Sequence, residues 1–287
     1  MNRPITHVSD TARWVALYRA MESERKDPLF RDPYARRLAG EQGEAILRGM
    51  KQGKQWAWPM IVRTAVMDEI ILRAVTADGV DTVLNLAAGL DARPYRLALP
   101  KALRWVDVDL PDILGYKEEQ LAGETPSCTV EFVKVDLRDA AARRALFAGV
   151  AASARRVLVV TEGLLIYLKP EDVADLAKDL AAQPPFRSWL IDIASPLLLQ
   201  WMQRTWGKTA AAGNAAFLFA PAEDTRFFEP YGWHEIEYRG MMDEGIRLKR
   251  VPKMMFFWRL LGLFASRARK AQFKRFSGIV LLERAGA

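Results

Sequence analysis

The stretch Val83-Leu84-Asn85-Leu86-Ala87-Ala88-Gly89-Leu90-Asp91-Ala92-Arg93 decides the fold. It is an apolar run that stops at a small-residue turn and restarts as a helix. A strand followed by a turn without bulky side chains lets a ligand approach the backbone closely. Twenty positions after Gly89, Asp109 closes the next apolar run, Leu103 to Asp109. A nucleoside-binding α/β fold puts the carboxylate that holds a ribose at about that distance. The turn has one glycine rather than three, so a plain strand-to-helix connection is the competing reading.

Outward from this stretch, apolar runs alternate with helical segments. The runs are Thr82–Leu86, Leu103–Val108, Val130–Leu137, Val157–Thr161 and Trp189–Ala194. Between them lie Ile113–Leu121, Ala140–Phe147 and Glu171–Ala182, the last opened by Pro170. This alternation predicts a doubly wound, mostly parallel sheet covered on both faces, with ligands beyond the carboxyl ends of the strands. Polar residues sit at those ends: Asp107 and Asp109, then Asp136, then Thr161-Glu162-Gly163. Acidic residues closing successive strands fit hydrogen bonds to ribose hydroxyls and to an exocyclic amine. Asp109 and Asp136 could each be only a helix cap.

Residues 1–79 read as helical, forming a lid or acceptor-pocket segment ahead of a core from 80 to 287. Thr11 to Met21 is one helix, Asp32-Pro33-Tyr34 restarts another, Lys51 to Trp58 reads as a loop, and Pro59 to Ala77 is a longer helix stopped by Asp78-Gly79. On that last helix Arg63 shares a face with Val66, Met67, Ile70 and Ile71. A guanidinium buried there needs an anion; a snorkelling side chain at the core edge is the alternative.

Composition narrows the function. The 287 residues are 51% hydrophobic, enough for a large core. A single cysteine, Cys128, excludes an intrachain disulfide and a cysteine-based metal site, and two histidines, His7 and His234, argue against a multi-histidine centre, so no metal is expected. The net charge of +7 favours acidic partners. The polar opening, Met1 to Asp10, lacks the apolar region of a signal peptide, and no apolar run spans a bilayer. The expectation is a soluble cytoplasmic protein. Two further strands are expected at Trp233 to Tyr238 and Ser277 to Glu283. Between them, 247–276 is basic around an apolar centre running from Met254 to Phe264. Such a segment could lie on an anionic membrane surface or pack on the core with a solvated basic rim. The charges are not interleaved with aromatics along a groove, which argues against nucleic acid.

Taken together, the motifs resemble the leucine carboxyl methyltransferase family, a branch of the class I S-adenosylmethionine-dependent methyltransferases that includes tetracenomycin-type polyketide O-methyltransferases. The glycine loop runs from Leu86 to Leu97. The match continues at Arg63-Thr64, at Val106-Asp107-Val108-Asp109-Leu110-Pro111 with Lys117, at Val135 to Asp139 and at Thr161 to Leu168. Arg19-Ala20, Asp32 to Ala35 and Gly232-Trp233 are similar too.

The resemblance implies a Rossmann-like seven-stranded sheet and S-adenosyl-L-methionine as cofactor. Arg63 would meet the methionine carboxylate, Ala88 and Gly89 would form the loop against the cofactor, and Asp109, rather than Asp107, would hold the ribose. Asp136 and Leu137 would contact the adenine, Glu162 the methionine amino end, and Arg19 would reach in from the N-terminal lid. Tyr167 matches the tyrosine near the transfer site and is the expected catalytic residue, with His234 a weaker base. Two positions depart from the pattern: Ala87 replaces a usual glycine and Ala92 a usual threonine. The implied activity is O-methylation of a carboxylate or phenolic hydroxyl of a small molecule, polyketide-like or another secondary metabolite. Other readings are a catalytically weak cofactor-fold protein acting at a membrane through 247–276, and a nicotinamide-dependent oxidoreductase, against which the missing three-glycine fingerprint counts.

Overall fold

The computed structural model describes residues 10–49, 53–211, 216–252 and 273–286. Three helices come first: α1 (Asp10–Ser23), α2 (Ala35–Gly49) and α3 (Ala57–Thr76). The alternating part follows as β1 (Thr82–Leu86), α4 (Arg93–Arg96), β2 (Arg104–Asp109), α5 (Pro111–Gln120), β3 (Thr129–Lys134), α6 (Ala140–Ser153), β4 (Val157–Thr161), α7 (Pro170–Ala181), β5 (Phe186–Ala194) and α8 (Pro196–Ala211). Then come β6 (Trp233–Gly240), α9 (Met241–Arg247) and β7 (Ser277–Arg284).

The strands form one seven-stranded sheet in the order β3-β2-β1-β4-β5-β7-β6. β1 to β5 pair in parallel, and β7 runs antiparallel to both β5 and β6. This is the doubly wound α/β fold expected from the alternation. Side chains on successive strand positions point to opposite faces. Thus Leu84, Val106, Val159 and Trp189 enter one core, with α6 and α7 residues Phe147, Leu176 and Leu180. Val83, Trp105, Leu158 and Leu190 enter the other, beneath α3 residues Val62, Val66, Ile70 and Ile71. Every residue of β1 and β4 is buried, as two-sided coverage requires.

A third apolar cluster joins the N-terminal helices to the turn after β1. It holds Leu17, Tyr18, Leu38 and Ile61 together with Leu90 and Ala92. The helices therefore cap the carboxyl edge of the sheet.

Local details differ from the sequence expectations. α2 begins at Ala35, so Pro33 precedes the helix: the Asp32 carboxylate and carbonyl accept the Tyr34 and Ala35 amides and form a turn first. Within Lys51 to Trp58, read as a loop, Gly53–Trp56 is a 3-10 turn and Ala57-Trp58 already belongs to α3. β3 stops at Lys134, so Asp136 lies in the loop beyond it. The apolar centre of 247–276 falls within 253–272, outside the described residues.

Candidate active site

The carboxyl ends of the parallel strands open into one cavity of about 920 Å³. Asp109 and Asp136 line it from the β2 and β3 side, Ala87 to Asp91 from the β1 turn, Glu162 and Gly163 from β4, and Asp192 from β5. Antiparallel β7 starts at the edge where the parallel strands end, so Phe276, Ser277 and Gly278 also reach it. β6 ends at this edge too and delivers Met241 and Met242. From above, α1 contributes Trp14 and Arg19, and α3 contributes Trp58, Met60 and Arg63.

At one end, Asp109 Oδ2 accepts the Gly89 amide at 2.7 Å and Oδ1 accepts the Leu110 amide at 2.7 Å. Burial pushes the Asp109 carboxyl above its ordinary range, and these two amides oppose the shift. Its neighbour Asp107 is spent on structure: fully buried, it accepts from Asn85, the Trp105 indole and the buried Lys117 ammonium at 2.6 Å. It does not line the cavity, whereas Asp109 does, which is the choice the sequence favoured. Asp136 pairs with Arg138 and accepts its amide, while Arg143 donates to the Leu137 carbonyl.

The turn after β1 is strained at Ala87, whose φ is +53°. That left-handed conformation costs a residue with a Cβ roughly 1–2 kcal/mol. Gly89 shares it with φ +49°, and a Cβ there would lie 3.1 Å from Ala12 of α1. α1 thus packs down on the loop, and its Arg19 ties the two by donating to the Leu90 carbonyl while pairing with Asp32 at 2.9 Å.

The middle of the cavity holds a ladder of buried ion pairs. Arg63 Nε donates to Glu162 at 3.0 Å and Nη1 to Asp192 at 3.0 Å. Arg93 bridges Glu162, Asp91 and Asp68 at 2.6–2.7 Å, and Asp68 also takes Arg96. The anion that Arg63 required is therefore supplied inside the chain, twice over. Burial would raise Glu162, but Arg93 and Arg63 outweigh it and hold the carboxyl below its usual range. Asp91 is held down more strongly, by Arg93 and then Lys117, against its burial. Gly163 fits this crowding: φ is +65°, and a Cβ would meet Arg63 Nη1 at 3.0 Å. Its amide donates to Asp192 at 2.6 Å.

Beyond the ladder the walls turn apolar and aromatic, with Trp14, Trp56, Trp58, Ile166, Trp201 and Phe217. Tyr167 sits where the two zones meet, stacked on Phe217 with centroids 5.7 Å apart. Burial pushes its hydroxyl up, and the nearby Arg63 moderates the shift. His234 stands on β6, exposed and 3.7 Å from Glu283, and does not line the cavity. Among the described residues there is no cluster of metal-ligating side chains.

One cavity thus joins a largely buried carboxylate on loop amides, a strained small-residue loop, an ion-pair ladder and an aromatic chamber. The leucine carboxyl methyltransferase model matches residues 12–181. The chain belongs to that family. It is 33% identical over 78% of its length to a Frankia alni protein named "Putative S-adenosyl-L-methionine-dependent methyltransferase", covering 81% of that protein. A Mycolicibacterium gilvum protein of the same designation is 40% identical over 57% of this chain, and the match spans 58% of that relative. In fold, the chain resembles a DUF574 family protein from Streptomyces avermitilis (TM-score 0.60, 19% identity, 99% of both chains). It also resembles a Thermobifida fusca structure described as a methyltransferase in provisional terms (TM-score 0.60, 15% identity, 99% and 97% covered).

The protein is an S-adenosylmethionine-dependent methyltransferase, and its cofactor is S-adenosyl-L-methionine. The donor set fits that group: a buried carboxylate beside glycine-loop amides suits a nucleoside, and the charged ladder suits a zwitterionic amino acid end. Of the residues singled out in the sequence, Arg19, Arg63, Ala88, Gly89, Asp109, Asp136, Leu137, Glu162 and Tyr167 all line this one cavity. The sequence reading missed Asp192, Arg93 and Asp91. The signal for Asp192 was present: it is another acidic residue near the end of an apolar run, like those on the preceding strands.

Proposed function

We propose that this methyltransferase makes methyl esters or ethers on oxygen, with a carboxylate or an acidic phenol of a small molecule as acceptor. One observation carries the reading: Tyr167 and Glu162, the titratable groups beside the aromatic chamber, are both shifted away from accepting a proton. Tyr167 keeps its proton because burial raises it, and Glu162 is held as a weakly basic carboxylate by Arg93 and Arg63. Asp192 is committed to Arg63 and to the Gly163 amide. An acceptor that must first be deprotonated is poorly served, whereas a carboxylate arrives ionised.

The cofactor, when bound, supplies an electrophilic methyl group for in-line displacement. The chain's task is alignment and exclusion of water, worth roughly 7–11 kcal/mol in favourable cases. Asp109 takes the ribose hydroxyls, and Ala88 and Gly89 bring backbone against the nucleoside. Asp136 and Leu137 face the adenine. Arg63, whose Nε and Nη1 are held by Glu162 and Asp192, would take the methionine carboxylate through Nη2, with Glu162 near the amino group, and Arg19 braces the loop from the lid formed by the segment 1–79. Tyr167 donates a hydrogen bond that orients the acceptor oxygen.

Labelled methyl donor and a panel of carboxylic acids and phenols test this. Label that is released as methanol by mild base marks an ester, and base-stable label in the product marks an ether. Transfer only to nitrogen or carbon acceptors rejects the reading. Arg63→Ala and Asp109→Ala should each weaken S-adenosylhomocysteine binding in calorimetry at least tenfold; intact affinity in both rejects the site assignment.

The membrane reading has less support. Arg247 pairs with Glu69 and Glu244, Arg250 with Glu22, and Arg275 with Asp224 and Glu235. These basic residues are engaged within the protein rather than offered to a lipid surface. Among the described residues no helix is long and apolar enough to cross a membrane.

A further inference from the structure

Asp192 divides its two oxygens between two elements of the fold. It stands on β5, the neighbour of β4 in the sheet, and lines the cavity. Oδ1 accepts the Gly163 amide at 2.6 Å, just past the end of β4, and Oδ2 takes Nη1 of Arg63 from α3 at 3.0 Å. Glu162 holds the same guanidinium at Nε, also at 3.0 Å, and has a second cation in Arg93 at 2.7 Å. Asp192 pairs with no second cation among the described residues. The Gly163 amide therefore does for Asp192 what Arg93 does for Glu162: it fixes the carboxylate independently of Arg63. A planar guanidinium held at one nitrogen can swing about that contact. Held at two, its plane and the direction of its third nitrogen are set. That third nitrogen is Nη2, which donates to no described residue.

We propose that Asp192 is a positioning residue for the cofactor: it aims Arg63 so that Nη2 meets the methionine carboxylate. This rests on the assignment of Arg63 to that carboxylate and adds the residue that sets its direction. Charge balance alone gives Asp192 the opposite effect. Arg63 already faces two carboxylates, so an arriving third anion is repelled by both. If Asp192 did no more than neutralise Arg63, its removal would tighten cofactor binding. If it aims Arg63, its removal weakens binding, because a hydrogen bond fades steeply once the donor leaves line. The geometry favours aiming. Both Asp192 oxygens are tied at hydrogen-bond distance, one of them to a turn whose glycine leaves room for the guanidinium: a Cβ on Gly163 would lie 3.0 Å from Nη1. A strand residue, a turn amide and a helix side chain thus converge to fix one planar group. Asp192 acts through Arg63 and needs no contact of its own with the cofactor.

The test compares two ligands by calorimetry on the full chain: S-adenosylhomocysteine, and methylthioadenosine, which carries the same nucleoside without the amino acid end. Asp192→Asn keeps the shape and removes the charge. Asp192→Ser keeps an acceptor near the Gly163 amide and falls short of Arg63. Each should weaken S-adenosylhomocysteine binding about tenfold, the worth of one charge-assisted hydrogen bond, and leave methylthioadenosine affinity within about twofold. In an Arg63→Ala background there is nothing to aim, so adding Asp192→Asn should change S-adenosylhomocysteine affinity by less than about twofold. Unchanged or tighter S-adenosylhomocysteine binding in both single variants overturns the inference. An equal loss for the two ligands also overturns it, as does a full further loss in the Arg63→Ala background. Failure of both variants to fold does the same, since it marks Asp192 as structural. In all these cases the assignment of Arg63 stands on its own variant. If Arg63→Ala itself leaves S-adenosylhomocysteine affinity intact, that assignment fails, and the inference with it.

Discussion

Gly163→Ala is the sharpest single test of the site's geometry. Gly163 has φ +65°, and an added Cβ would sit 3.0 Å from Arg63 Nη1 and 3.4 Å from Nη2. The left-handed backbone alone costs alanine roughly 1–2 kcal/mol. Alanine recovers roughly 0.5–1 kcal/mol by restricting the unfolded chain. The guanidinium cannot retreat freely, because Glu162 and Asp192 each hold it at 3.0 Å. Displacing it weakens at least one charge-assisted hydrogen bond, worth roughly 1.5–3 kcal/mol. The total destabilisation should be about 2–4 kcal/mol. For a chain of this size that lowers Tm by roughly 1.5–2 °C per kcal/mol. Denaturant titration measures the stability change, and calorimetry with S-adenosylhomocysteine should show affinity falling at least tenfold. Gly149→Ala is the control: it lies in α6, has nothing within 4 Å of the added Cβ, and should be stabilising. A Gly163→Ala protein as stable as its parent, with parental affinity, would refute the account of Arg63 as a clamped side chain.

Ala87→Gly should act in the opposite sense. It relieves φ +53° but gives the unfolded chain more freedom, so the net gain should be at most about 1 kcal/mol; a clear loss of stability would show that the loop is not strained there. Lys117→Met leaves the Asp107 carboxylate buried without its cation and should cost about 3–5 kcal/mol by denaturant titration. A cost under 1 kcal/mol would mean that Asn85 and the Trp105 indole suffice. Acidification should separate affinity from stability. Glu162 and Asp91 have folded-state values below their unfolded ones, so their contribution is complete above the ordinary carboxylate range and is lost as pH falls below it. Asp109 is raised and takes up its proton at a higher pH. Cofactor affinity should therefore begin to fall before stability does, and simultaneous loss of both would contradict the role given to Asp109.

The parallel core was legible because two-sided burial writes continuous apolar runs, as in Val157 to Thr161. Asp109 was legible as a cavity residue because it ends such a run twenty positions after Gly89, whose amide it accepts. Asp192 was less legible because it sits two residues inside the end of its apolar run, before Ile193 and Ala194, rather than closing it as Asp109 does. The Arg93 ladder was less visible in principle. Asp68 and Arg93 are 25 residues apart, and Arg63 and Asp192 are 129 apart. Nothing local marks such pairs, because the fold, and not sequence spacing, brings them together. Ala87 shows the reverse case. Comparison with the resembled family marked it as a missing glycine, and the positive φ supplies the physical reason glycine suits that position.

The placement of β7 between β5 and β6 bears on how the protein is assembled during synthesis. β5 finishes at Ala194, but its antiparallel partner begins only at Ser277. Throughout the intervening translation, Trp189, Leu190 and Ile191 present an unpaired sheet edge. Such edges template intermolecular pairing, and long-range strand closure is slow. Until β7 inserts, β6 has no neighbour in the sheet, and neither Phe276 nor Gly278 can reach the cavity. The wall of the cavity that Phe276 and Gly278 supply is thus completed after the wall that Asp109 and the turn after β1 supply.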